Sequence, residues 1–226
     1  MGTPGSKRHT RWLWVLLPVV IVLVFNKLVV SILTLWQQAS GGIPPGVFFY
    51  LPFLSVLPPL VLLSIWCLRP DRGLDPQLRL ARRATWAADL GTGAAVGLLC
   101  VAVFVGSLKL QRSLGLDSQS LASLGLAHHL FFSTIGALIP GISEELYFRG
   151  FLMARFRDLS PTLVIGVTSL SFSLWHVLSP SYLPHTFVMG LLLGFTVHRT
   201  QRILPAILAH SLANASAGVL LVKGWV

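Results

Sequence analysis

The chain has 226 residues, of which 54% are hydrophobic and 11% charged, and its mean hydropathy is +0.76. These values exclude an ordinary soluble domain and are typical of an integral membrane protein. The net charge of +10 would suggest a nucleic-acid partner in a soluble protein. Here most basic residues lie in short segments between apolar runs, where they set topology and meet anionic headgroups. We therefore expect one membrane domain over residues 1–226, surrounded by a lipid bilayer and without a nucleic-acid partner.

Seven apolar segments predict an all-α, polytopic transmembrane helical bundle of about seven spans (six to eight). In chain order they are Trp12–Trp36, Val47–Leu68, Ala84–Leu108, Leu121–Met153, Pro161–Leu178, Tyr182–Val197 and Ile203–Val222. The first is too long for the apolar region of a signal peptide, so we interpret it as a retained signal anchor. The fourth contains Pro140-Gly141, which predicts a kink or break there.

The basic residues are distributed on one side of these segments. With the N-terminus in the cytoplasm, the cytoplasmic segments hold 12 of the 17 lysines and arginines, and the outer loops hold only Lys109, Arg112 and Lys223. Such a bias predicts a cytoplasmic N-terminus and an external C-terminus. Lys27 lies within the first span, and we expect it to face the bundle, a headgroup or a water-filled cavity.

The only two glutamates of the chain, Glu144 and Glu145, are adjacent and lie within the fourth apolar segment. An ionisable residue inside a membrane is costly and marks a candidate functional site. Glu145 and Arg149 are four residues apart, so we predict an ion pair on one helix face. Glu144 has no basic partner at the corresponding positions, and its carboxyl group is available as a general base or acid.

Two later apolar segments carry histidines. Phe172 and His176 are four residues apart in the fifth, and His210 and Asn214 are four apart in the seventh, so each pair shares a helix face. A single histidine in an apolar helix is more often a packing residue. Two of them beside a spare glutamate suggest a catalytic group: Glu144 as base, His176 to orient water or relay a proton, and His210 and Asn214 as oxyanion donors.

Other catalytic designs fit less well. The sequence contains no H-E-x-x-H zinc motif and no G-x-S-x-G nucleophile elbow. Ser143 precedes the glutamates, but a serine there is equally expected to form a local hydrogen bond within the helix. We therefore predict no metal ion and no other cofactor, although Glu144, His176 and His210 are residue types that could ligate Zn²⁺.

The three motifs together resemble those of a known family. E-E-x-x-x-R (Glu144, Glu145, Arg149), F-x-x-x-H (Phe172, His176) and H-x-x-x-N (His210, Asn214), in this order, are similar to the motifs of the CPBP family of CAAX-protease and bacteriocin-processing membrane proteins, also called Abi proteins. The resemblance covers residues 121–222, which would form the catalytic core. It implies a glutamate-dependent intramembrane endopeptidase.

On that resemblance, Glu144 and His176 activate a water molecule, and His210 and Asn214 stabilise the oxyanion. The resemblance also implies that the Glu145–Arg149 pair braces the helix and that Phe172 supports the site. The implied substrate is a membrane-anchored protein or peptide, and the short loops suggest a prokaryotic inner membrane.

Two alternatives remain open from the sequence. The first is a non-catalytic scaffold or bacteriocin self-immunity protein with the same residues. The second is a proton-coupled carrier, which the lack of an inverted repeat disfavours.

The protease hypothesis requires that Glu144, His176, His210 and Asn214 converge on one water-accessible cavity, within roughly 4–8 Å of each other. The remaining histidines of the spans and their ends should lie outside it; these are His128, His129, His185 and His198.

Overall fold

The computed structural model describes residues 6–41, 58–66, 85–115, 130–131, 133–178 and 180–222. Over these residues the fold is all-α, as predicted. Its seven helices are α1 Ser6–Ser40, α2 at 58–66, α3 Trp86–Ser113, α4 Ile135–Glu145, α5 Pro161–Trp175, α6 Leu183–Thr200 and α7 Leu204–Val222. A π-helix, Leu146–Leu152, and a short α-helical turn, Met153–Arg155, continue α4. Of the predicted spans, the second is described only over 58–66 and the start of the fourth lies outside the described residues.

Two helices of the described part of the chain are long and apolar enough to cross a bilayer. They are Trp12–Ala39 within α1 and Trp86–Ser113, each of 28 residues, with mean hydropathies of 2.6 and 2.0. Both present large apolar side chains outward; Leu98, for example, is 65% exposed. A broad apolar surface of this kind fits contact with lipid. The count of seven spans and their orientation stay predictions.

α1 packs against the rest of the bundle where a proline interrupts its backbone bonding. Pro18 has no N–H, so the carbonyl of Trp14, four residues earlier, lacks its helical donor. The hydroxyl of Tyr147 donates to this carbonyl at 2.7 Å, and the hydroxyl of Ser171 donates to the carbonyl of Val15 at 2.6 Å. The Tyr147 hydroxyl on the π-helix thus replaces the bond that α1 cannot make at Trp14, and Ser171 on α5 adds a second contact one residue later.

α3 and α7 approach each other closely because glycines line the contact. A Cβ atom on Gly93 would lie 2.7 Å from Leu208 Cβ, and one on Gly97 would lie 3.2 Å from the Ala209 backbone. Small residues spaced by four let membrane helices approach closely. An ion pair closes one end of this contact, since Arg202 Nε lies 2.6 Å from Oδ1 of the fully buried Asp89.

Two expectations about individual residues are narrowed by the structure. α4 continues through Pro140, so the helix does not break there, and the departure from α-helical geometry begins at Leu146 instead; a kink at Pro140-Gly141 stays a prediction. Lys27 is exposed on α1, so it does not face the bundle. Its two other expected environments, a headgroup or a water-filled cavity, stay predictions.

Candidate active site

The two glutamates end α4 in the interior of the bundle, with Glu144 3% exposed and Glu145 0% exposed. The π-helix that begins at the next residue is buried along its whole length. π-helical turns are rare and often occur at functional sites. Here the π-helix carries the guanidinium of Arg149 into the same interior. No feature of the sequence analysis predicted this segment.

Glu145 and Arg149 form the predicted ion pair. Arg149 Nη1 donates to Glu145 Oε1 at 2.8 Å, and both side chains are fully buried. Arg149 Nη2 also donates to the carbonyl of Gly190 on α6 at 3.1 Å, and the guanidinium carbon lies 4.5 Å from the centre of the Phe172 ring. The pair therefore joins the π-helix to α5 and α6 as well as closing one helical turn.

His210 lies between the two glutamates. Its Nδ1 atom is 2.8 Å from Glu145 Oε1, and its Nε2 atom is 3.7 Å from Glu144 Oε2. Because an ionised carboxylate can only accept, Nδ1 carries a proton and donates it to Glu145. A carboxylate that accepts from one ring nitrogen fixes the orientation of the imidazole and decides which nitrogen faces the site. Glu145 thus has a second contact that sequence reasoning missed.

Glu144 is held by a residue that was not among the predicted site residues. Trp175 Nε1, on the last residue of α5, donates to Glu144 Oε1 at 3.2 Å, and Trp175 is 1% exposed. The second carboxyl oxygen of Glu144, Oε2, is buried and has no hydrogen-bond partner among the described residues. One oxygen is therefore occupied, and the other faces His210 without a direct hydrogen bond.

His176 and Phe172 lie next to this group. His176 directly follows α5, and its Nδ1 atom is 2.9 Å from the carbonyl of Phe172. The Phe172 ring centre lies 5.1 Å from that of His176 and 5.6 Å from that of His210, with nearly perpendicular planes to His210 (88°). Phe172 thus contacts both imidazoles.

Asn214 lies one turn beyond His210 on α7 and is half-buried. The structure shows no hydrogen bond from it to the glutamates, and its proposed action on an oxyanion stays a prediction. His185 packs instead against the rings of Phe104 and Tyr182. His198 lines a separate cavity near the start of α5. His128 and His129 lie outside the described residues.

Two cavities in the described part of the structure lie away from the glutamates. One is lined by the ends of α5 and α6, including Arg157 and His198, and the other by the outer face of α5 with Phe187. Neither is lined by the glutamates. Within the described ranges, no three His, Cys, Asp or Glu side chains are grouped to hold a metal ion. Water access and metal independence both stay predictions.

The contact between α4 and α7 sets the distance between the glutamates and His210. A Cβ atom on Gly141 would lie 2.3 Å from Ser211 Oγ and 3.1 Å from the Ser211 backbone nitrogen. We expect Gly141→Ala to push α7 away and destabilise the protein by about 1–3 kcal/mol, as overpacking does. Thermal unfolding of Gly141→Ala and wild type in detergent measures this loss of stability.

A matched control for that variant lies on α5. A Cβ atom on Gly166 would meet nothing within 4 Å. Gly166→Ala should unfold at or slightly above the wild-type temperature, because alanine favours a helix. Equal unfolding temperatures for the two variants would show that the Gly141 contact does not control the spacing of α4 and α7.

The site brings together two carboxyl groups, an oriented imidazole and a buried arginine within a bundle of apolar helices. Residues 126–216 match the family model of Type II CAAX prenyl endopeptidase Rce1-like proteins. The match confirms the resemblance to the CPBP family and covers every residue of the three motifs. Searches of curated proteins and of solved structures give no match. This part of the chain is therefore similar to membrane-embedded proteins of the CAAX-protease type.

Proposed function

We propose that the protein is an intramembrane endopeptidase that hydrolyses a peptide bond in a membrane-anchored protein or peptide through a water molecule activated by Glu144. The observation that carries this proposal is the pair of unequal carboxylates. Glu145 accepts from the charged Arg149 and from His210 at 2.8 Å each, whereas Glu144 accepts only from the neutral indole of Trp175; the Oε2 atom of each glutamate is buried without a hydrogen-bond partner among the described residues. A carboxyl group that no arginine pairs with suits general acid–base chemistry.

In the proposed mechanism, Glu144 Oε2 accepts a proton from a water molecule as the water oxygen attacks the scissile carbonyl carbon. The carbonyl becomes an oxyanion, and the C–N bond then breaks as Glu144 returns the proton to the leaving nitrogen. No acyl-enzyme forms, because the oxygen of water is the nucleophile. His176 would orient the water from the end of α5, which it directly follows.

Oxyanion stabilisation is assigned to His210 and Asn214. Because Nδ1 of His210 donates to Glu145, its Nε2 atom can donate to an oxyanion only when the ring is the imidazolium. His210 must therefore be protonated before the attack, and the buried carboxylate of Glu145 at 2.8 Å supports that positive charge. The Arg149–Glu145–His210 chain therefore has a catalytic purpose in the proposal besides its contribution to stability.

We further propose a prokaryotic inner-membrane location, with the N-terminus in the cytoplasm and the C-terminus outside. The one-sided distribution of lysine and arginine supports this topology. The apolar surroundings of the site support a substrate that is itself held in the bilayer. The word "prenyl" describes the family whose model matches; for this chain a prenylated peptide is one candidate substrate among membrane-anchored peptides.

The proposal is tested with the full chain in lipid nanodiscs that also contain synthetic peptides. The panel holds transmembrane peptides with polar tails and one prenylated CAAX peptide, and the reaction runs in water enriched in ¹⁸O. Mass spectrometry should show new peptide ends, with one ¹⁸O atom in each new carboxyl group. If a folded protein cleaves no member of a broad panel of this kind, the non-catalytic scaffold or immunity function replaces the protease.

A further inference from the structure

We propose that Trp175 is a positioning residue for Glu144 and that its indole N–H determines which carboxyl oxygen acts as the base. This inference rests on the proposed endopeptidase function. Trp175 lies outside the three motifs: it occupies the position directly before His176, in the sequence F-S-L-W-H. It touches neither water nor substrate in the proposed mechanism, so it acts only through Glu144.

The first step of the argument concerns the orientation of the carboxyl group. A glutamate side chain has three rotatable bonds, and a base must hold its reactive oxygen within hydrogen-bond range of the attacking water. The Trp175 indole donates to Oε1 at 3.2 Å and has a single N–H, which can point in only one direction because the ring is 1% exposed. The carboxyl plane of Glu144 is therefore fixed by α5, although the residue belongs to α4.

The second step concerns the two oxygens. Oε1 already accepts from Trp175, whereas Oε2 is buried, lacks a hydrogen-bond partner among the described residues and lies 3.7 Å from His210 Nε2. The free lone pairs of Oε2 can therefore accept a proton from a water molecule. This oxygen lies on the side of the carboxyl group that faces the His210 imidazole. The geometry assigns the proton transfer to Oε2.

The third step concerns the neighbouring residue. Trp175 ends α5 and His176 directly follows it, with Nδ1 of His176 bonded back to the carbonyl of Phe172. One helix end therefore fixes both the base, through the indole, and the imidazole proposed to orient the water. A substitution at Trp175 that keeps the fold should disturb proton transfer without disturbing substrate binding.

The test compares Trp175→Phe with Trp14→Phe. Both variants replace an indole by a phenyl ring in packed surroundings; Trp14 lies against the rings of Trp66 and Phe151, 5.0 and 5.2 Å away. Only Trp175 donates to a glutamate. We expect Trp175→Phe to lower kcat by about 10- to 100-fold, the effect of losing a hydrogen bond to a charged group, with KM within about twofold of wild type. Trp14→Phe should keep the wild-type kcat.

A structural role for Trp175 gives a different pattern. In that case kcat per folded molecule stays at the wild-type value, or KM and the unfolding temperature change together, and either result overturns the proposal. Equal kcat values for Trp175→Phe and Trp14→Phe overturn it as well.

A second readout does not depend on activity. In protein with ¹⁵N-labelled tryptophan, the indole N–H resonance that disappears in Trp175→Phe should shift in Glu144→Ala and stay unchanged in Ser143→Ala. An unshifted resonance in Glu144→Ala shows that the hydrogen bond is absent and overturns the inference, whatever the enzyme does. If the resonance shifts but the wild-type protein cleaves nothing, the contact is upheld and the proposed endopeptidase function fails.

Discussion

Glu144→Gln should lose cleavage by a factor of about 10²–10⁴ while the protein still folds and inserts. An amide cannot take a proton from water, but its oxygen can still accept the hydrogen bond that Trp175 Nε1 donates to Glu144 Oε1 at 3.2 Å. The amide has nearly the same volume as the carboxyl group, so the buried site stays filled. Cleavage of the best peptide of the panel, measured beside thermal unfolding in detergent, gives both quantities.

The control for this variant is the preceding residue. Ser143 is buried, with 6% of its surface exposed, and is the nearest hydroxyl along the chain. Ser143→Ala should cleave at close to the wild-type rate, because water supplies the nucleophile in the proposed mechanism. A loss of activity in Ser143→Ala, together with a labelled serine adduct, would replace the water mechanism by a covalent one.

Glu145→Gln should destabilise the protein by about 3–5 kcal/mol, because it leaves the fully buried Arg149 without its counter-charge. The same change weakens the hydrogen bond that orients His210, so activity should also fall, though less than in Glu144→Gln. Thermal unfolding in detergent should therefore rank Glu145→Gln far below Glu144→Gln in stability, and the cleavage assay should rank them in the opposite order. Similar behaviour of the two variants in both assays would refute this division of roles.

A double variant distinguishes two causes of instability in Glu145→Gln: the unpaired buried charge of Arg149 and the loss of the Glu145–Arg149 contact itself. Glu145→Gln combined with Arg149→Gln removes both charges, so the double variant should be more stable than the sum of the two single changes predicts. Additive effects would mean that the 2.8 Å pair contributes little and that the burial of Arg149 is compensated elsewhere, for instance by its bond to the Gly190 carbonyl.

Local spacing in the sequence was enough to predict the parts of the site that lie within one helical turn. The Glu145–Arg149 pair was predicted from a separation of four residues, and the structure contains it at 2.8 Å. The proximity of Phe172 and His176 follows from the same spacing, although His176 lies just beyond the end of α5. Such contacts depend mainly on the helical repeat, which the sequence specifies without knowledge of other elements.

Contacts between helices could not be predicted in this way. Trp175 reaches Glu144 across 31 positions and His210 reaches Glu145 across 65, so the rotation and depth of three helices determine both distances. The π-helix after Glu145 alters that rotation, and no residue in L-Y-F-R-G-F-L marks a π-helix as proline marks a kink. Of the kink or break predicted at Pro140, the break is absent, because α4 continues through this proline.

The sequence by itself determined the all-α class, the candidate residues and the resemblance to a family, because composition, helical spacing and motif order are properties of the chain alone. Only the tertiary structure decided how the two glutamates differ. Glu145 is paired with Arg149 and His210, whereas Glu144 accepts a hydrogen bond from the neutral indole of Trp175 and has no arginine partner among the described residues. The physical reason is that hydrogen bonds between side chains act over about 3 Å, so they depend on how the helices pack and not on where the residues stand in the chain.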